Sequence, residues 1–393
     1  RRADEGRRPV GTTRSTAQAA ADGTAPGGRW AYRACIGSFT AAGGRGITVA
    51  DVDPESGALT PLHSTDALAN PSYLAPGSDG RHLYAVSETP DGAAAAFALT
   101  PEGPVLRAPA VPVGGADPTH LTLAAGHLVT ANYGSGSLST LPVRADGTLG
   151  GPARVLQHQG SGPRADRQEG PHAHAVRPDP SGRWLLAVDL GTDSVRVCAL
   201  DAASGELTVR DETRLRPGSG PRHFAFHPRG DLACVINELD PTVTLCRWDA
   251  DRGSLTPLGE TRLLPDTRAG AVGGGDGATE PRPTFPSALV ISPDGRFAWA
   301  ANRGDDSIAV LSLDARTATA ALVTTVPCGG HWPRDLALHP DGRHLYAANE
   351  RSGDVTWFTL DPETGVPARG GSVAAPAASC VVFVRGGRGT ARL

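Results

Sequence analysis

PRDLALHPDGRHLYAANE, residues 333–350, carries the fold of this chain in one line. A proline opens it, a short apolar alternation follows, a Pro-Asp-Gly turn interrupts, and a second apolar run ends on Asn349. The Asp-Gly pair supplies the positive φ of a tight hairpin turn, so the stretch reads as two antiparallel strands. It is not alone. The same unit recurs as PSYLAPGSDGRHLYAVSE (71–88), PRHFAFHPRGDLACVINE (221–238) and PSALVISPDGRFAWAANR (286–303). Looser copies are PTHLTLAAGHLVTANY (118–133) and AHAVRPDPSGRWLLAVDL (173–190).

The turn glycines Gly80, Gly126, Gly182, Gly230, Gly295 and Gly342 lie 46, 56, 48, 65 and 47 residues apart. A half-copy, GRWAYRACIGSF from Gly28, precedes Gly80 by 52 and makes a seventh. Each remainder has room for two more strands, such as AAAAFALT (93–100) and SIAVLSLD (307–314). Four strands at a period near 50 mark a propeller blade. The prediction is an all-β, seven-bladed propeller of four-stranded antiparallel blades. Tandem sandwiches would not repeat one turn motif at this period. The first copy lacks its opening strand, and an apolar segment around 379–384 is left over after the last. That C-terminal strand should join the N-terminal blade and close the ring, removing two exposed edges. Cys35 and Cys380 would then sit on neighbouring strands, where free buried thiols are favoured and a disulfide stays open.

Composition agrees. Of 393 residues, 50 are Gly and 34 Pro, a share that a mainly helical protein does not tolerate. With 37 Lys+Arg against 41 Asp+Glu, net charge −4, no basic field points to nucleic acid. No apolar run approaches the roughly 18 residues of a membrane span. The six cysteines show no CxxC spacing, and no metal is expected. Residues 1–28, polar and rich in Ala, Gly and Thr, read as a disordered leader, and 29–393 as a single propeller domain. The Gly-rich 268–283 reads as a loop insertion rather than a phosphate cradle.

Seven copies act as an internal alignment. His227 and His339 both precede the turn Pro, and so belong to the turn. Asn132, Asn237, Asn302 and Asn349, with Asp189 in the same slot, read as backbone caps. Two other slots vary in charge. Eight residues before the turn glycine stand Ser72, His174, Arg222, Ser287 and Arg334, with Thr119 in the shortened copy. Eight residues after it stand Glu88, Leu190, Glu238, Arg303 and Glu350, with Tyr133 in the shortened copy. Because the two strands are antiparallel, both slots open on one face of the disc, around the central channel. Salt bridges between blades are the structural explanation for such charges. A catalytic site is favoured for His174, Arg222, Glu238 and Arg303, with His172, Arg167, Tyr133, Arg334 and Glu350 as substrate-binding residues. HQGSGPRADRQEGPHAH (158–174), with Arg167 and His172, would wall the pocket. His172 and His174 form an H-x-H pair without a clear third metal ligand.

These residues resemble the seven-bladed-propeller lactonase family. The likeness rests on RQEGPHAH (167–174), DLGTD (189–193), GPRHFAFHP (220–228), NEL (237–239) and NRGDDSI (302–308), and runs from about residue 31 to 385. It implies His174, Arg222, Glu238 and Arg303 as the active-site residues and no organic or metal cofactor. The implied activity is hydrolysis of a sugar lactone, foremost 6-phospho-D-glucono-1,5-lactone. Glu238 or His174 would take the proton from water, with Glu238 favoured as base and His174 as proton shuttle. Arg222 would stabilise the oxyanion, and Arg303 would clamp a phosphate or carboxylate. No Gly-x-Ser-x-Gly elbow supports a covalent serine route. The rivals are a cycloisomerase of a muconate-type dicarboxylate and a non-catalytic binding platform. The expected partner is a small-molecule lactone, with no nucleic acid or membrane, and the expected state a monomer or weak dimer. The family default is a cytoplasmic enzyme, and the leader leaves an exported form open.

Overall fold

The computed structural model describes residues 32–266 and 283–386. The 1–28 leader and all of the 268–283 insertion except Pro283 lie outside the described residues. Within them, 29 strands form seven antiparallel sheets, six four-stranded and one five-stranded. The two anticipated third strands are present as Ala93–Thr100 and Ser307–Asp314. The last strand, Ala378–Arg385, pairs antiparallel with the first, Tyr32–Ser38, and becomes the innermost strand of that sheet. Ring closure is therefore as the leftover segment predicted. Cys35 and Cys380 lie on these adjacent strands but in offset register, opposite Val382 and Gly37, and both are free and buried. Burial pushes the Cys35 thiol up to about 12, which leaves it inert.

The core lies between blades. One apolar cluster joins Ala288, Trp299 and Val310 to Leu345 and Phe358 of the next sheet. Another joins Val188 and Val197 to Phe224, Val235 and Trp248. Second and third strands are consequently apolar on both faces, whereas an outer strand such as Leu207–Arg214 is mostly exposed. The Asn slot caps backbone at Asp189, which accepts the His172 and Thr192 N–H groups, and at Asn302, which donates to the Leu263 carbonyl, but elsewhere it works differently. Asn132 Nδ2 donates to Ser137 and Ser139, and Asn237 Nδ2 to Thr242 and Thr244, at 2.8–3.0 Å. These amides staple the second strand to hydroxyls of the third. His227 does serve the turn, its Nδ1 accepting the Arg229 N–H at 3.1 Å.

What positions the functional side chains is a β-bulge in the innermost strands. Register slips between Ala173 and Ala175, Pro221 and His223, and Pro333 and Asp335. His174, Arg222 and Arg334 are the residues left unpaired, and a bulge re-aims its extra side chain. Thr119 and Ser379 occupy the same place in their strands. Polar bonds link these positions from blade to blade. Thr119 Oγ1 donates to the His174 carbonyl at 2.9 Å, Arg222 Nη1 to that of Ser287, and Ser379 Oγ to that of Ser72 at 2.8 Å.

Candidate active site

Glu238 is the centre of the channel mouth. It follows the second strand of its blade (Leu232–Asn237), is 5% exposed, and three arginines converge on it. Arg167 Nη2 donates to Oε1 at 2.6 Å, while Arg222 Nε and Arg303 Nη2 lie 3.1 and 3.2 Å from Oε2. The Arg222 Nε–H does not point along its short vector, so that contact is an ion pair rather than a hydrogen bond. Burial alone would raise the carboxyl, but the charges of Arg303, Arg222 and Arg167 overcome it and bring Glu238 down to about 2. Arg222 moves oppositely for an ion-paired cation. Burial and the neighbouring Arg303 outweigh its share of one carboxylate and push it down to about 9, still cationic at neutral pH.

This arrangement argues against the expected role of Glu238 as base and favours the alternative, His174. A carboxylate shared by three guanidinium groups has little basicity left for a water proton. Its geometry is that of an organiser holding arginines that would otherwise repel one another.

His174 suits proton transfer better. Its ring is buried, its Nδ1 has no hydrogen-bond partner, and burial together with Arg222 holds its pKa well below the usual 6.5. The imidazole is thus neutral at physiological pH. Tyr133 meets it edge-on at 5.5 Å and stacks on His172 at 4.5 Å. Both nitrogens of His172 are engaged, Nδ1 with the Tyr133 carbonyl at 2.8 Å and Nε2 with Glu169 at 3.0 Å. With both engaged, the His172 side chain stands as part of the wall.

Arg334 and Glu350 form a second ionic group on the same rim. Arg334 lies 3.3 Å from Glu350 and 3.5 Å from Glu88, which the sequence reading had left out of the site. Burial raises the Glu88 carboxyl despite the opposing charge of Arg334. Four arginines (167, 222, 303 and 334) therefore face three glutamates (88, 238 and 350), one of them biased towards its neutral form. The mouth favours an anion.

Sequence reasoning also missed the aromatic floor. Trp332, left-handed at φ 64, stacks under Arg351 at 3.4 Å and Arg303 at 5.4 Å, and Phe39 lies under Arg334 at 4.7 Å. Trp332 directly precedes the Pro that opens its copy, outside any strand pattern, so no periodicity signals it. Replacing it with Leu is expected to raise KM roughly three- to thirtyfold, the worth of a desolvated cation–π contact, with kcat little changed. Steady-state kinetics with an unaltered KM would remove this role. Deeper on the axis, Tyr73, His120 and His223 pack ring against ring, and Arg177 donates to the Tyr73 hydroxyl at 3.1 Å. The signal existed: Tyr73, His120 and His223 each stand one residue beyond the variable slot.

A group that could hold a metal lies elsewhere. His339, Asp341 and His344 bring ligand atoms within 4.8 Å at the far end of the last blade's inner hairpin. Each half recurs without the other, as His227 with Arg229 and as Asp79 with His82, so turn geometry accounts for the cluster.

Fold and site together define a closed seven-bladed propeller with an arginine-rich ionic centre at one mouth of its channel. Residues 33–383 match the family model described as lactonase, 7-bladed beta-propeller. The chain belongs to that family. It is 32% identical over 308 residues to a 6-phosphogluconolactonase of Bacillus subtilis, covering 77% of this chain and 84% of the relative. A 6-phosphogluconolactonase of Formosa agariphila is 30% identical over 313 residues, covering 76% and 84%. Among solved structures, the periplasmic gluconolactonase of Pseudomonas aeruginosa superposes with TM-score 0.81 at 30% identity, covering 90% of this chain and 99% of that one.

Proposed function

We propose that this lactonase hydrolyses 6-phospho-D-glucono-1,5-lactone to 6-phosphogluconate. The observation that carries the reading is the excess of arginine over glutamate around a buried, neutral His174. Ester hydrolysis needs a base for water, donors for the tetrahedral oxyanion and a proton for the leaving oxygen. His174 takes the proton as water bonds to the lactone carbonyl carbon. Arg222, whose Nη2 has no hydrogen bond among the described residues, stabilises the oxyanion. As the intermediate collapses, the ring C–O bond breaks and the departing alkoxide takes the proton back from the His174 imidazolium. Arg303 and Arg334, braced on Trp332 and Phe39, bind the phosphate, and Arg167 closes over it from the wall loop.

The test is a pair of substrates, glucono-1,5-lactone with and without its 6-phosphate, followed by acid release in a pH-stat. kcat/KM is expected to be at least about tenfold higher for the phosphorylated lactone, and that advantage to shrink as salt rises. Equal rates at low salt would point to an uncharged lactone instead. Ultraviolet loss of a muconate without acid release would transfer the site to cycloisomerisation.

A further inference from the structure

DLGTD (189–193) and NRGDDSI (302–308) stand out in the sequence, yet the chemistry above uses only Arg303 from them. We propose that Asp193 is a positioning residue that sets Arg222, Glu238 and Arg167 at once, and that Asp306 does the same for Arg334 and Glu350. The inference rests on the site reading given under the proposed function.

Asp193 is buried and left-handed, at φ 51. Among the described residues no cation meets its carboxylate; amides do. Oδ1 accepts from the Gly220 N–H at 2.8 Å and from Gln168 Nε2 at 2.7 Å, and Oδ2 accepts from the Gly218 N–H at 2.7 Å. Its own segment and two others are thereby joined at one side chain. Gly220 lies two residues before Arg222, and its carbonyl accepts the Glu238 N–H at 2.7 Å. A backbone peptide gripped by Asp193 thus carries the arginine on one side and the glutamate on the other. Gly220 has φ 62, and a Cβ there would strike the Leu239 side chain, so only glycine lets the backbone pass at this point. The third segment is the wall loop. Gln168 also donates to the Leu190 carbonyl at 2.8 Å, and its neighbour Arg167 reaches Glu238.

The device occurs twice. Asp306, φ 56, occupies the equivalent place two blades on. Its Oδ1 accepts the Trp332 N–H at 2.8 Å, Trp332 lies two residues before Arg334, and the Trp332 carbonyl accepts the Glu350 N–H at 3.0 Å. Both copies stand in the blade preceding one whose inner strand presents a channel arginine. In the blade preceding His174 the corresponding residue is Gly136. A purely structural turn residue has no reason to follow the arginines in this way.

The experiment is a double-mutant cycle on the full chain. Asp193→Asn keeps the size and tolerates the left-handed backbone, but sets an amide against N–H donors. It is expected to lower kcat/KM for the phosphorylated lactone about ten- to a hundredfold with the protein folded by circular dichroism. In an Arg222→Ala background the loss from the same change should shrink at least about threefold, because part of its effect passes through that arginine. An undiminished loss in that background, or wild-type kinetics for Asp193→Asn, overturns the inference. Should Asp193→Asn fail to fold, Gln168→Leu isolates the loop arm, and an unchanged KM there overturns it equally. If Arg222→Ala alone is fully active, the site reading itself is what fails.

Discussion

Glu238→Gln is expected to lower kcat by about a hundredfold or more while KM holds or falls. The substitution keeps the shape and an oxygen for Arg167, but removes the charge and turns an amide donor towards Arg222 and Arg303. Arg167, Arg222 and Arg303 are then left to repel one another in a buried site, and breaking a buried ion pair in this way costs about 3–5 kcal/mol. Thermal unfolding should show a drop of that order alongside the kinetics. KM is not expected to rise, because a mouth relieved of one carboxylate attracts an anionic substrate at least as well. What is lost is the orientation of the oxyanion donors. The acid response separates the variant further. Folding lowers Glu238 from 4.5 to about 2, so its stabilisation is complete above pH 4.5 and is lost as pH falls towards 2. The wild-type melting temperature should fall through that window with a contribution the variant lacks. Normal turnover with a raised KM would mean the carboxylate serves binding alone, and the organiser role would go.

His174→Asn is expected to lower kcat about 10²- to 10⁴-fold with KM within a few-fold. The prediction follows from a buried imidazole whose Nδ1 faces no protein partner. Its pH signature is specific. A base must be deprotonated, and an ordinary histidine would halve the rate near 6.5. Here burial and Arg222 hold the pKa well below that value, so kcat/KM should stay flat from pH 8 down past 6. An acid limb centred near 6.5, or a variant with wild-type turnover, would transfer the proton to another group. His223 is the neighbour to examine, 5.3 Å away and neutral by the same burial.

The blades were legible because one turn chemistry recurs. A turn glycine every fifty or so residues, preceded by Asp or Ser in four of the six copies, marks hairpins of short strands, and antiparallel pairing then puts slots eight residues either side of the glycine at one end of the disc. His174, Arg222, Glu238 and Arg303 followed from that logic. The bulges that turn the first slot into the channel were not legible, since they depend on how each inner strand registers with its neighbour. Nor were the partners of Glu238: Arg167 is 71 residues away, on a loop without periodicity.

Left to itself, the amino-acid order of this chain determines a ring of seven hairpin-built sheets and the end of that ring at which its unusual ionic residues gather. These follow from local turn preference and the two-residue period of a strand, which act over a few positions and repeat. Which cations gather on Glu238, and how far they depress its carboxyl, was decided only by the folded molecule. That outcome depends on burial and on charges arriving from four separate segments, and Coulomb forces act through space without regard to position along the chain.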